Sequence, residues 1–215
     1  MFIPDPIHPD FEAYAEMHTS APNDYLYELY RETHLKTMYP RMIAGRQQGK
    51  FLEMISRLVK PNRILEIGTF TGYSTICLAS GLIQDGLIHT IDTNPESVAI
   101  GRKYFTKTGL KNKIVMHCGN AMEIIPHISD IFDIVYIDAD KENYLNYYNL
   151  VFDKVKPGGL IMADNVFWNG KVLEWESADQ EAKGIIRFNT FVQNDERVDN
   201  ILITIRDGLM MILKK

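Results

Sequence analysis

The chain is short of several things, and each shortage removes a class of protein. It has 2 cysteines in 215 residues, too few for a disulfide framework. Cys77 and Cys118 therefore read as buried thiols of a reducing compartment. It lacks a basic excess: 23 Lys+Arg against 28 Asp+Glu leave a formal net charge of −5, the wrong sign for a dedicated nucleic-acid binder. No apolar run approaches the ~18 residues of a membrane span. Its start, Met1-Phe2-Ile3-Pro4-Asp5, has neither the basic nor the apolar stretch of a secretory signal. Repeats, low-complexity tracts and linkers are also missing. The expectation is one soluble cytoplasmic domain over residues 1–215, in which 46% hydrophobic residues supply a core without staples.

What is present has two textures. Residues 1–60 read as a helical cap. Asp24 to Lys36 places Leu26, Leu29, Tyr30 and Thr33 on one stripe, and a second helix runs to about Lys60 with Phe51, Leu52, Ile55, Leu58 and Val59 at helical spacing. Pro61 stops it. Residues 61–215 read as a core of short apolar strands alternating with amphipathic helices. The strand candidates are Ile64–Ile67, Leu87–Ile91, Lys113–Met116, Phe132–Ile137 and Gly159–Met162, nearly continuous in hydrophobicity, as parallel strands covered on both faces should be. Asn94-Pro95 starts one helix and Gly109 ends it. Tyr144, Leu145, Tyr148, Val151, Phe152 and Val155 form the face of another, ended by Lys156-Pro157-Gly158-Gly159. After a helix around Gln180 to Val192, Asp207-Gly208 separates Ile201–Ile205 from Leu209–Leu213, a hairpin signal. The fold class is α/β: a mostly parallel seven-stranded sheet with a C-terminal antiparallel hairpin.

Ligands of such sheets sit at the carboxyl ends of the strands, where the strand order reverses. The first strand ends Glu66-Ile67-Gly68-Thr69-Phe70-Thr71-Gly72-Tyr73-Ser74 and the second ends in Asp92. The glycines permit a sharp turn, and a strand-end carboxylate can accept ribose hydroxyls. The dinucleotide pattern Gly-x-Gly-x-x-Gly is absent. A wider loop preceded by Glu66 repels phosphates and suits a cationic nucleoside such as S-adenosylmethionine. The plainer alternatives are a tight strand–helix turn and a helix-capping aspartate.

The fourth strand ends Asp138-Ala139-Asp140-Lys141 and the fifth Ala163-Asp164-Asn165. Adjacent parallel strands bring Asp138, Asp164 and Asn165 together as hard oxygen donors for a magnesium-like ion, unless they merely cap the following helices. Lys141, three residues after Asp138, could serve as a base beside the metal.

Taken in order, Glu66 to Ser74, Asp138 to Tyr144 and Ala163 to Gly170 resemble the motifs of the cation-dependent O-methyltransferases, the caffeoyl-CoA and catechol enzymes and their small bacterial relatives. The resemblance covers about Tyr39 to Lys215. It implies a Rossmann-like class I methyltransferase fold, S-adenosylmethionine, a divalent cation (magnesium, with manganese or calcium as alternatives), a vicinal diphenol acceptor and a homodimer. By position it implies cofactor contacts from Met42, Glu66, Gly68, Thr69, Ser74, Asp92, Ala121 and Asp140. Asp138, Asp164 and Asn165 match metal ligands, with Asp138 also touching substrate. Lys141 matches the lysine that takes the acceptor's proton, and Asn169 an acceptor contact. Ala44 stands where the plant pattern has threonine. Arg31, Lys36, Arg41 and Arg46 spread over several helical faces and form no coenzyme A phosphate cradle, so a small free catechol is expected.

Among the remaining residues, Trp168 is the candidate wall against an aromatic ring. Trp175 and the Tyr144, Tyr147, Tyr148 series read as structural, and His34 as a helical histidine without catalytic duty. A nicotinamide-dependent oxidoreductase and a catalytically silent binding relative are the competing readings. The first lacks its glycine pattern, and the second leaves Asp138, Lys141, Asp164 and Asn165 without purpose.

Overall fold

A computed structural model describes residues 10–174 and 178–215. Three helices come first: α1 (Asp10–Met17), α2 (Asp24–Lys36) and α3 (Arg46–Val59). The Asn23 side chain accepts from the Leu26 N–H, pairing one of the donors a helix start leaves open. Leu26, Leu29 and Thr33 are buried on α2, whereas Tyr30 is exposed.

Helix α3 departs further from its sequence reading. Its buried face is Gln48, Gly49, Leu52 and Ser56, while Leu58 is 76% exposed and Val59 is exposed too. The cause is its close approach to α4 (Tyr73–Ala79) and the turn after it. A Cβ on Gly49 would lie 2.5 Å from the Tyr73 ring, and one on Gly81 would lie 2.1 Å from the Ser56 backbone. Only small or slender side chains fit there; Leu52 stays buried and Phe51 and Ile55 pack half-buried against the same core, while Leu58 and Val59 turn outward.

Seven strands follow, β1 (Arg63–Ile67), β2 (Leu87–Asp92), β3 (Ile114–Cys118), β4 (Phe132–Ile137), β5 (Val155–Asp164), β6 (Val198–Ile203) and β7 (Leu209–Lys214). Between them lie α5 (Pro95–Lys107), α6 (Ala121–Ile124), α7 (Tyr144–Phe152) and α8 (Gln180–Gln193). The sheet order is β3-β2-β1-β4-β5-β7-β6. β7 alone runs opposite to the other six strands, as the α/β reading expects. Alternation along the strands divides the core in two. Leu65, Ile67, Val135 and Ile161 face α7 and α8, while Ile64, Ile134, Tyr136 and Met162 face the cap and α4.

Three local expectations need correction. Val155 does not finish the helical face of α7; it pairs with Phe132 and opens β5, and Lys156–Gly159 is an irregularity within that strand, with Gly158 at φ 74°. The β6–β7 connection runs from Thr204 to Gly208 and is no two-residue turn, with Arg206 at φ 47° and Gly208 at φ 84°. Cys77 is buried, but Cys118, at the end of edge strand β3, is exposed. Among the described residues no helix is long and apolar enough to cross a membrane.

Candidate active site

The order reverses between β1 and β4, and at their carboxyl ends lies a cavity of about 710 Å³. Met42, Gly68, Thr69, Ser74, Asp92, Ala121 and Asp140 line it, as do Asp138, Lys141, Asn165 and Trp168. Ala44 is on its wall as well. Glu66, Asp164 and Asn169 lie behind or beside it.

At one end the glycine loop is fixed by its neighbours. Gly68 and Gly72 have φ of 101° and 89°, a region that L side chains resist. A Cβ on Gly68 would sit 1.8 Å from the Asp138 carbonyl oxygen, and one on Gly72 2.6 Å from the Phe105 ring. Asp92 Oδ2 accepts the Phe70 N–H at 2.6 Å, and Oδ1 accepts the Asn94 N–H at 2.8 Å. A carboxylate offers about four lone-pair sites, so both oxygens can still accept hydroxyls from a ligand. From the cap, Thr33 donates its hydroxyl to Thr71 at 2.9 Å, tying α2 to this loop.

Glu66 points into the layer beneath. It is fully buried, and its Oε2 accepts the hydroxyls of Thr75 and Thr90 while Oε1 has no partner. Burial pushes its carboxyl up to about 7, against hydrogen bonds from Ser74, Thr75 and Thr90. Its place is under the loop, bracing the start of α4, rather than on the cavity wall.

At the other end β4 and β5 deliver the acidic cluster. Lys141, 5% exposed, donates to Asp138 Oδ1 at 3.1 Å, to Asn165 Oδ1 at 3.1 Å and to the Tyr144 hydroxyl at 2.5 Å. Its three N–H bonds meet three acceptors, so two of the expected metal-ligand oxygens converge on one cationic atom. The Tyr144 hydroxyl in turn donates a hydrogen bond to the Asp164 carbonyl at 2.8 Å. The Asp164 carboxylate accepts the Asn165 N–H at 2.9 Å on Oδ1, and on Oδ2 the Tyr136 hydroxyl at 3.0 Å and the Gln48 amide. Burial, and next the charge on Asp138, raise its carboxyl to about 6; the Gln48 hydrogen bond opposes them.

Among the described residues no three His, Cys, Asp or Glu side chains group around a metal position. The set here is two carboxylates and an amide. These are hard oxygen donors, two of them already gathered about the positive charge of Lys141, and they fit a divalent cation.

Other assignments divide. Trp168 borders the cavity, with Lys141 Nζ 5.6 Å from its ring centroid and its own Nε1 buried without a partner. Asn169, at φ 53°, is turned to solvent and gives its N–H to Asp207 at 2.7 Å. Tyr144 and Tyr147 pack as core residues, yet their hydroxyls reach Lys141 and Asp140, whereas Tyr148 bonds Asp195 at 3.0 Å, beyond the cavity wall. Periodicity could place these rings but not their hydroxyls. Gln48 and Tyr136 carried no sequence signal. His34 lies exposed on α2 with Nδ1 2.9 Å from the Tyr30 carbonyl. Arg46 bonds the carbonyls of Thr19 and Ser20 and Lys36 pairs with Glu32. Trp175 lies outside the described residues.

The O-methyltransferase family profile matches residues 16–215. A catechol O-methyltransferase of Niastella koreensis is 33% identical over 185 residues, covering 82% of this chain and 84% of that one. A caffeoyl-CoA O-methyltransferase of Petroselinum crispum is 33% identical over 195 residues, covering 84% and 80%. The crystal structure of the O-methyltransferase TomG from Streptomyces achromogenes, in complex with SAM, superposes with a TM-score of 0.89 at 27% identity and covers 96% of both chains. The chain belongs to the O-methyltransferase family of enzymes.

Proposed function

We propose that the protein transfers the methyl group of S-adenosylmethionine to one hydroxyl of a vicinal diphenol, aided by a divalent cation at Asp138, Asp164 and Asn165. The observation that carries the reading is the convergence of the Asp138 and Asn165 oxygens on Lys141 Nζ, at one end of a cavity whose other end is Asp92. S-adenosylmethionine supplies a methyl group on a cationic sulfur, and the cation, magnesium by its all-oxygen donors, supplies positive charge that favours the ionised diphenol.

The chain's own residues supply the rest. Asp92 accepts the ribose hydroxyls. Gly68, Thr69 and Ser74 bound the cofactor from β1 and α4, and Met42, Ala121 and Asp140 from the opposite walls. Trp168 offers a flat apolar wall to the acceptor ring. Lys141 Nζ takes the acceptor's proton once it is itself neutral, and the Tyr144 hydroxyl keeps that nitrogen beside Asp138. Holding donor and acceptor in line is the largest contribution, up to ~7–11 kcal/mol for well-oriented pairs. With Arg46 and Lys36 engaged in the cap, a small free catechol is favoured over a coenzyme A thioester. A cytoplasmic homodimer is the proposed form, supported by exposed Met54, Leu58 and Val59 on α3; sedimentation velocity checks it.

The test is a panel of catechol, a monophenol, a flavonoid and caffeoyl-CoA with S-adenosylmethionine and magnesium. Methylation of catechols and not of the monophenol is expected. Equal turnover of the monophenol would overturn the two-oxygen acceptor. The nicotinamide reading loses its ground with the family match.

A further inference from the structure

Asp164 does not hold its own position. Its Oδ2 is gripped by the Tyr136 hydroxyl and by Gln48 Nε2, and Gln48, 1% exposed, also reaches the Tyr136 oxygen at 2.9 Å. The other end of the same amide, Oε1, accepts Arg206 Nη1 at 2.6 Å. Arg206 stands in the β6–β7 connection, 158 residues further along the chain. Every polar atom of Gln48 is therefore used. A guanidinium only donates and an ionised carboxylate only accepts, so Arg206 and Asp164 each demand the same orientation of the amide between them. Hydrogen bonds in such a buried chain strengthen one another.

The backbone points the same way. Arg206 lies at φ 47°, a left-handed conformation that glycine adopts without strain and arginine does not. What offsets that strain is visible: the bond to Gln48, with a second, longer one to the Ile43 carbonyl at 3.4 Å, just before Ala44 on the cavity wall.

We propose that Arg206 is a positioning residue for the metal site, acting through Gln48 to hold the Asp164 carboxylate with Oδ2 committed to the protein. This rests on the reading of Asp138, Asp164 and Asn165 as ligands of a divalent cation. It makes the site depend on two elements remote from it in sequence, the cap helix α3 and the C-terminal hairpin.

The experiment is titration of Mn²⁺ alone, followed by electron paramagnetic resonance, into wild type, Arg206→Gly, Arg206→Lys, Gln48→Met and Asp164→Ala, with thermal unfolding of each in EDTA. Arg206→Gly loses the contact but relieves the backbone, so its unfolding temperature stays near that of wild type while Mn²⁺ affinity falls about tenfold, the lower end of the loss seen for outer-shell partners. Gln48→Met shows a similar loss. Arg206→Lys, which can still donate to Gln48, recovers most of it. Arg206→Gly binding within twofold of wild type, or no recovery by Arg206→Lys, overturns the proposal while leaving the metal site standing. Wild type that binds no Mn²⁺, or Asp164→Ala that binds as tightly as wild type, ends the metal reading and the arginine's role with it.

Discussion

The two ends of the cavity are built differently. The Asp92 end is held by the backbone: neighbouring N–H groups fix its carboxylate, and its glycines are dictated by carbon and oxygen atoms that leave no room for a Cβ. The Asp138–Asp164 end is held by side chains from remote elements, through Lys141, Tyr144, Tyr136, Gln48 and Arg206. A backbone-built site tolerates side-chain changes nearby and fails when its turn fails. A side-chain-built site can lose its chemistry while the fold and the nucleoside end survive.

The largest effect is expected at Gly68, in the backbone-held end. Gly68→Ala places a methyl 1.8 Å from the Asp138 carbonyl, so β1 and β4 must separate; a loss of stability on the order of 4 kcal/mol is expected in denaturant unfolding. Lys141→Met tests the opposite end. The rate of methyl transfer should fall by roughly 10²–10⁴, partly recover as pH rises and hydroxide ionises the acceptor, and leave cofactor affinity unchanged in calorimetry. Lys141→Arg, which keeps the charge but cannot give up its proton, should remain inactive. If it is active, the lysine is only a counter-charge.

Asp92→Ala should weaken S-adenosylmethionine binding by the loss of charge-assisted hydrogen bonds, each worth ~1.5–3 kcal/mol, with acceptor preference barely altered. Unchanged affinity would remove Asp92 from the site. The smallest effect is at Glu66. Its folded-state value near 7 stands above the ordinary 4.5, so the folded protein binds the extra proton. Its contribution is therefore neutral below about pH 4.5, falls as pH rises from there to about 7, by at most about 3 kcal/mol at 1.36 kcal/mol per pH unit, and is level above that. Glu66→Gln should flatten that fall in thermal unfolding between about pH 4.5 and 7. A fall of equal size in the variant would mean that another group titrates.

The sequence made this asymmetry half visible. Strand periodicity, Asn94-Pro95 and the glycines are local signals, so the parallel sheet and the loop could be read directly. Asp138 and Asp164 were legible because parallel strands align their ends. The end of β1 announces Glu66 but not its depth: strand alternation turns the carboxylate toward Thr75 and Thr90, beneath the loop. Gln48 was hidden because it is a polar residue in a tight helix contact, while the apolar pattern marks Phe51, Leu52 and Ile55 but not the first turn of α3. Arg206 was hidden because a turn arginine announces neither its left-handed backbone nor a partner 158 residues away.

Under the proposed mechanism, chemistry at the acidic end needs a divalent cation. Methyl transfer from S-adenosylmethionine to a catechol, measured with purified protein in excess EDTA and again after magnesium is restored, tests it most directly. Collapse to the uncatalysed background in EDTA and recovery with magnesium are expected. Full activity in EDTA would contradict the mechanism.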